Sequence, residues 1–253
     1  MDRTIGPAER SPGCGVPPQH GWNPPSSSRK LRDADGTRER LLGIGMNREQ
    51  IDSEYRRLGY RLGWRFLMGP MRTLTTARVA VISLNPGGDR PHGPDWSSED
   101  GSAYRIEAWR WYGRHQIPGR DPRQDQVQRL CALLHVLPDD VLAGQFVPFR
   151  SPDWESLPNK PEALAFARRL WGEVFAEHRP EIVTCIGKSP HGREVAALLG
   201  ARLMDRIPAG WGDHTIERYT FDERKRLIVL PHLSRSRLFG RAASAAALNE
   251  AFR

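Results

Sequence analysis

Three short, almost unbroken apolar runs constrain this chain most. They cover Arg78 to Leu84, Glu181 to Ile186 and Arg226 to Leu230. Each has the length of a strand and is apolar at successive positions rather than at alternate ones, as strands buried on both faces of a parallel sheet are. Each also stops abruptly. The first ends at Asn85-Pro86-Gly87-Gly88-Asp89, the second at Gly187, the third at Pro231-His232-Leu233-Ser234-Arg235.

Helix signals fill the intervals. Asn47 with Gln50 forms a capping-box start for a helix over Arg48 to Leu67, with Ile51, Tyr55, Leu58, Leu62 and Phe66 on one face. Asp121-Pro122-x-Gln124 opens a second helix to about His135, and Asn159-Lys160-Pro161-Glu162 a third to about Glu177. Ser189-Pro190 begins a fourth that Gly200 stops, and Ala242 to Phe252 forms a last one. Gln145 to Phe149 reads as a short strand, and Thr215 to Phe221 pairs with Arg226 to Leu230 across a polar turn. The segment from Arg90 to Arg120 reads as a long polar and aromatic loop. Alternating strands and helices imply an α/β fold, a three-layer α/β/α sandwich around a short, mostly parallel sheet. Ligands bind such sheets beyond the carboxyl ends of the strands. That rule selects Asn85 to Asp89, Gln145 to Arg150, Gly187 to Ser189 and His232 to Gly240.

Residues 1–45 hold six prolines, much Ser and Gly and no apolar period, and read as a disordered tail ahead of a domain over 46–253. No apolar run approaches the ~20 residues of a membrane span, and the first residues lack the apolar core of a signal peptide. Cys14, Cys131 and Cys185 stand far apart with no CxxC. This favours a reducing cytoplasm and argues against a disulfide framework, a structural metal or an iron–sulfur cluster.

The net charge of +8 favours a polyanionic partner. All but four of the 38 basic residues are arginine, a bias that a GC-rich genome also produces, so distribution has to decide. Arg224 to Arg241 contains six basic residues and no acidic one, whereas residues 1–45 carry seven basic against five acidic. The excess therefore gathers near the carboxyl terminus, as a phosphate-facing surface requires.

Two strand ends about 150 residues apart, Leu84-Asn85-Pro86-Gly87 and His232-Leu233-Ser234, give the chain a resemblance to the uracil-DNA glycosylase superfamily. There the first motif reads like GxNPG or GQDPY and the second like HPSPxx. Gln145-Phe146-Val147-Pro148-Phe149-Arg150-Ser151-Pro152 is similar to the family's central strand and its polar–Pro loop. Pro180 to Lys188 is similar to its PxxIvxlG strand. The likeness runs over about residues 60–245.

The resemblance implies a monomeric, cofactor-independent DNA glycosylase, with single- or double-stranded DNA as partner, that flips a nucleotide into a pocket and hydrolyses its N-glycosidic bond. Asn85 aligns with the residue that positions the attacking water, with Asp89 and His92 close enough in sequence to assist. His232 aligns with the donor to the departing base. Gly87, Gly88, Gln145 and Phe146 fall where the base is held, and Trp96, Tyr104, Trp109, Trp111 and Tyr112 are loop aromatics able to stack on it, Trp96 foremost. Ser234 aligns with a phosphate contact. Arg235, Ser236, Arg237 and Leu238 occupy the loop that fills the vacated stack, and Lys188 and Ser189 join the DNA-facing set.

Departures from the pattern bear on the substrate. Leu233 replaces a Pro, Gln145 is one methylene longer than the usual Asn, and Gly87 stands where uracil-selective members carry Tyr. A smaller residue there leaves room for a bulky modified pyrimidine, such as the glycosylated cytosine of some bacteriophage DNA, which would make the chain an antiviral defence enzyme. Uracil or mismatch repair, and a catalytically inactive DNA-binding relative, are the alternatives.

Overall fold

The computed structural model describes residues 48–111, 114–115, 117–187, 190–233 and 237–253. All of these residues belong to one compact unit. The expected tail, Asn47 of the capping box, Tyr112, Lys188, Ser189, Ser234, Arg235 and Ser236 lie outside the described residues.

In chain order the elements are α1 (Arg48–Arg57), the single turn α2 (Thr73–Thr76), β1 (Val79–Ser83), the turn α3 (Ala103–Ile106), the short pair β2 (Arg110–Trp111) and β3 (Arg114–His115), α4 (Pro122–Leu133), β4 (Leu142–Gln145), α5 (Lys160–Glu177), β5 (Ile182–Ile186), α6 (His191–Leu199), β6 (Arg202–Pro208), β7 (Thr215–Phe221), β8 (Lys225–Leu230) and α7 (Ala242–Phe252). β1 and β4 to β8 form one sheet in the order β4-β1-β5-β8-β7-β6. The first four strands are parallel; β7 and β6 are antiparallel additions.

Side chains of the parallel strands alternate between two cores, giving the expected α/β layering. Ala80, Ile82, Val183, Cys185, Leu227 and Val229 pack with Phe166, Trp171 and Val174 of α5 and Val195 of α6. Val81, Ile186, Ile228 and Leu230 pack on the other face with Val127 and Leu130 of α4 and Leu248 of α7. Among the described residues no helix is long and apolar enough to cross a membrane.

Several element boundaries differ from expectation. The first helix ends at Arg57 rather than Leu67, because Gly59 turns left-handed at φ +73° and Tyr60 N–H donates back to the Tyr55 carbonyl at 3.2 Å. Gly63, at φ +86°, then lies under the backbone of His92, whose carbonyl oxygen would stand 1.8 Å from an added Cβ. Trp64 to Leu67 instead runs antiparallel to Phe149 to Gly144 along the edge of β4. The strand expected over Gln145 to Phe149 lies three residues earlier, Leu142–Gln145. Its small residues suit Trp171, since a Cβ on Gly144 would come within 3.0 Å of that ring. β6 was not expected at all.

Candidate active site

Register brings the motifs together. Gln145, Ser83, Ile186 and Leu230 are neighbours in one row across β4, β1, β5 and β8. Asn85 and His232 each lie two residues past that row, on strands with only β5 between them. At the usual spacing of neighbouring strands, ~4.8 Å, the two strand ends are about 10 Å apart.

The Asn85 turn is tied to the loop after β4. Ser151 is buried, and its N–H donates to the Pro86 carbonyl at 3.2 Å. Asn85 Nδ2 donates to Ser151 Oγ at 2.8 Å, and Ser151 Oγ donates to the Asp153 carbonyl at 2.6 Å. A serine hydroxyl has one proton to give. With that proton directed at the Asp153 carbonyl, Ser151 accepts from Asn85, so the amide nitrogen faces Ser151 and Oδ1 is left to accept from a water. Arg150 donates from Nη1 to the Gly87 carbonyl and so braces the same turn from beneath. Burial, and then the nearby Arg65 charge, pull the Arg150 pKa below its ordinary value.

The two glycines of the turn differ. Gly87 is not in the left-handed region, and an added Cβ there meets nothing within 4 Å. Gly88 adopts φ +127°, with an added Cβ 3.1 Å from Arg150 Nη1. Glycine is therefore conformationally required at 88 and not at 87. Asp89 is exposed beyond them.

On the β8 side, Gly187 N–H donates to the Leu230 carbonyl at 2.9 Å. A Cβ on Gly187 would sit 3.4 Å from His191 Cε1 and 3.8 Å from His232 Cδ2, so the two imidazoles flank this glycine. His232 is exposed, whereas His191, the first residue of α6, is buried and neither ring nitrogen has a hydrogen bond. Burial drives the His191 pKa down to about 3. The Arg123 and His232 charges add to that, and the Ile186 backbone opposes it without reaching hydrogen-bonding geometry.

The floor at β1 is polar. Ser83 Oγ lies 3.4 Å from Tyr104 Oη and accepts from Arg123 Nη2. Arg123 is placed by the start of α4, where Asp121 accepts from the Arg123 N–H at 2.9 Å and Gln124 completes a capping box. Gln145 is 2% exposed, and its Oε1 has no partner. Its backbone carbonyl accepts from the Trp171 indole at 3.1 Å.

Four expected site residues take other roles. Phe146 is fully buried in the α5 core, so no face of its ring is open to a base. Trp96 packs its ring 5.1 Å from Phe66 and donates to Met71 Sδ at 3.4 Å, so it is committed to packing rather than stacking. Tyr104 is fully buried with Trp109 edge-on at 5.5 Å. Leu238, expected as a wedge into DNA, is fully buried in the α4–α7 core. It and Phe239 anchor their segment, helped by Gln126, whose amide donates to and accepts from the Phe239 backbone at 2.9 Å each. Arg237 stays exposed and, with Arg129 and Arg241, walls an open cleft of about 380 Å³.

Arg123, Arg150, Ser151 and His191 also belong to the site; the sequence reaches Arg150 and Ser151 only as members of the segment after β4 and gives none of the four a role. Cys131 and Cys185 are buried free thiols; burial pushes Cys131 up to about 12 and Cys185 also upward, so neither serves as a nucleophile. No family model matches the chain, and no curated protein matches it.

Proposed function

We propose that this chain is a DNA glycosylase that flips a modified or damaged pyrimidine out of DNA and hydrolyses its N-glycosidic bond, leaving an abasic site. One observation carries the reading: an oriented asparagine and a histidine, from motifs far apart in sequence, end two parallel strands separated only by β5.

In the reaction, the C1′–N bond breaks with its electron pair going to the base, and a water oxygen bonds to C1′ while its proton passes to solvent. Asn85 Oδ1 accepts from that water and aims it at the sugar. His232 donates to an oxygen of the departing base, where negative charge develops. Arg237, with Ser234, Arg235 and Ser236 of the same segment, Lys188 and Ser189, faces the phosphates.

The preferred base in this reading carries a bulky C5 substituent, as glucosylated hydroxymethylcytosine does, since the Gly87 position is open and unstrained. That substrate puts the enzyme in defence against modified phage DNA, inside a reducing cytoplasm. Duplex and single-stranded oligonucleotides with uracil, a thymine mismatch, hydroxymethylcytosine or glucosylated hydroxymethylcytosine, treated with alkali after incubation, test it. Strand cleavage at the glucosylated base supports the preferred substrate. Cleavage at uracil or the mismatch alone moves the enzyme to conventional repair.

A further inference from the structure

Arg123 has no role in the motifs above, yet its surroundings are those of a ligand contact. It is the second residue of α4, at the electropositive end of a 12-residue helix. Its guanidinium reaches the carboxyl end of β1, where Nη2 donates to Ser83 two residues before Asn85. Arg65, Arg105, Arg168 and Arg218 each sit on a carboxylate. Arg123 forms no ion pair among the described residues, and its Nε is buried with no acceptor. A cation partly withdrawn from water without a counter-ion is costly unless something supplies the negative charge. Close by, His191 is buried with both ring nitrogens unpartnered, and Gln145 Oε1 is buried and unpartnered on the strand next to Ser83. Unfilled buried donors and acceptors thus collect at the same strand ends as Asn85 and His232.

We propose that Arg123 contacts the leaving base directly, its guanidinium facing an exocyclic carbonyl oxygen of the pyrimidine onto which negative charge spreads as the C1′–N bond breaks. His232 then has a charged partner in the task of stabilising the departing anion, and no group needs to protonate the base. The identity of this oxygen rests on the glycosylase reading; the existence of an anion subsite at Arg123 does not.

The test uses the full chain and the variants Arg123→Gln and Arg123→Lys, with folding checked by circular dichroism and melting. On whichever base the wild type excises, Arg123→Gln should slow the single-turnover step by roughly 10²-fold, as loss of one oxyanion donor does. DNA affinity and its salt dependence should not change, and Arg123→Lys should recover part of the rate. Weakened DNA binding with a flatter salt slope and an unchanged rate would reassign Arg123 to a backbone phosphate and overturn the proposal. So would an unchanged rate with unchanged binding, or equal slowing in the Lys and Gln variants, the mark of a purely structural role. If the wild type excises no base, the glycosylase reading fails on its own. The subsite is then judged by melting in inorganic phosphate against chloride at matched ionic strength. Stabilisation that Arg123→Gln abolishes upholds it, and equal behaviour of the two proteins rejects it.

Discussion

Ser151 orients the Asn85 amide, because the serine directs its one proton at the Asp153 backbone carbonyl and so accepts from Asn85 Nδ2 at 2.8 Å, with the Pro86 carbonyl a second acceptor at 3.3 Å. Ser151→Ala removes that contact and leaves Nδ2 with only the longer bond to the Pro86 carbonyl, at 3.3 Å, so the amide is held less firmly. Base excision should fall roughly 10-fold to 100-fold, less than the 10²–10⁴-fold expected for loss of Asn85 itself in Asn85→Ala. DNA affinity should hold in both. Single-turnover rates beside binding isotherms check this, and a Ser151→Ala rate equal to wild type would detach the serine from the mechanism.

Gly87 and Gly88 should respond in opposite ways. Gly88→Ala forces a side chain to φ +127° beside Arg150 and should cost about 1–3 kcal/mol of stability. Gly87→Tyr places a ring in open space on backbone that tolerates it, so melting should be near wild type. If that space receives the C5 substituent, Gly87→Tyr should abolish excision of the glucosylated base and spare any activity on uracil. Full activity on the bulky base would show that the position does not line the pocket.

His191 should make the fold acid-sensitive. Its folded pKa lies near 3, against about 6.5 when unfolded, so below pH 6.5 the unfolded chain binds a proton that the folded chain refuses. Stability is therefore lost as pH falls from about 6.5 towards 3. His191→Gln should remove that component. Denaturant titrations between pH 7 and pH 4 measure it, and identical slopes in wild type and variant would mean that His191 takes up a proton without unfolding the protein.

Leu238→Ala should act on folding and not on DNA. A fully buried leucine between α4 and α7 costs about 2–5 kcal/mol when truncated. Arg237→Ala, on the exposed neighbour, should instead weaken DNA binding and flatten its salt dependence. A Leu238→Ala protein of wild-type stability with impaired DNA binding would restore the wedge.

The central strands were legible because burial on both faces writes itself as a continuous apolar run, and the turns after β1 and β8 were legible because each run stops at polar residues and Gly or Pro. β6 was not, since an edge strand such as Arg202-Leu203-Met204-Asp205-Arg206-Ile207-Pro208 mixes charges, an exposed Met and a Pro. The end of α1 was missed because Leu62 and Phe66 continue its helical period by coincidence, while Gly59 and Gly63 bend the chain away. Asn85 and His232 could be placed from sequence, as both follow buried strands. Arg123 and Ser151 could not, because each acts through a contact made only by the fold: a helix start laid over β1, and a loop laid against the Asn85 turn. Phe146, Trp96 and Leu238 were misjudged for one reason. A sequence shows that a side chain is apolar but not whether the core has already claimed it.

Release of free base from DNA is the decisive test of the proposed glycosylase activity. The four oligonucleotides are incubated with wild type, Asn85→Ala and His232→Ala under single-turnover conditions, and free base is quantified by mass spectrometry against alkali-labile sites. Wild-type protein should give equal amounts of both products from one of the substrates, and each variant should be slower by roughly 10²-fold or more. No free base from any of the DNAs with folded wild-type protein, or release by Asn85→Ala at the wild-type rate, would contradict the proposal.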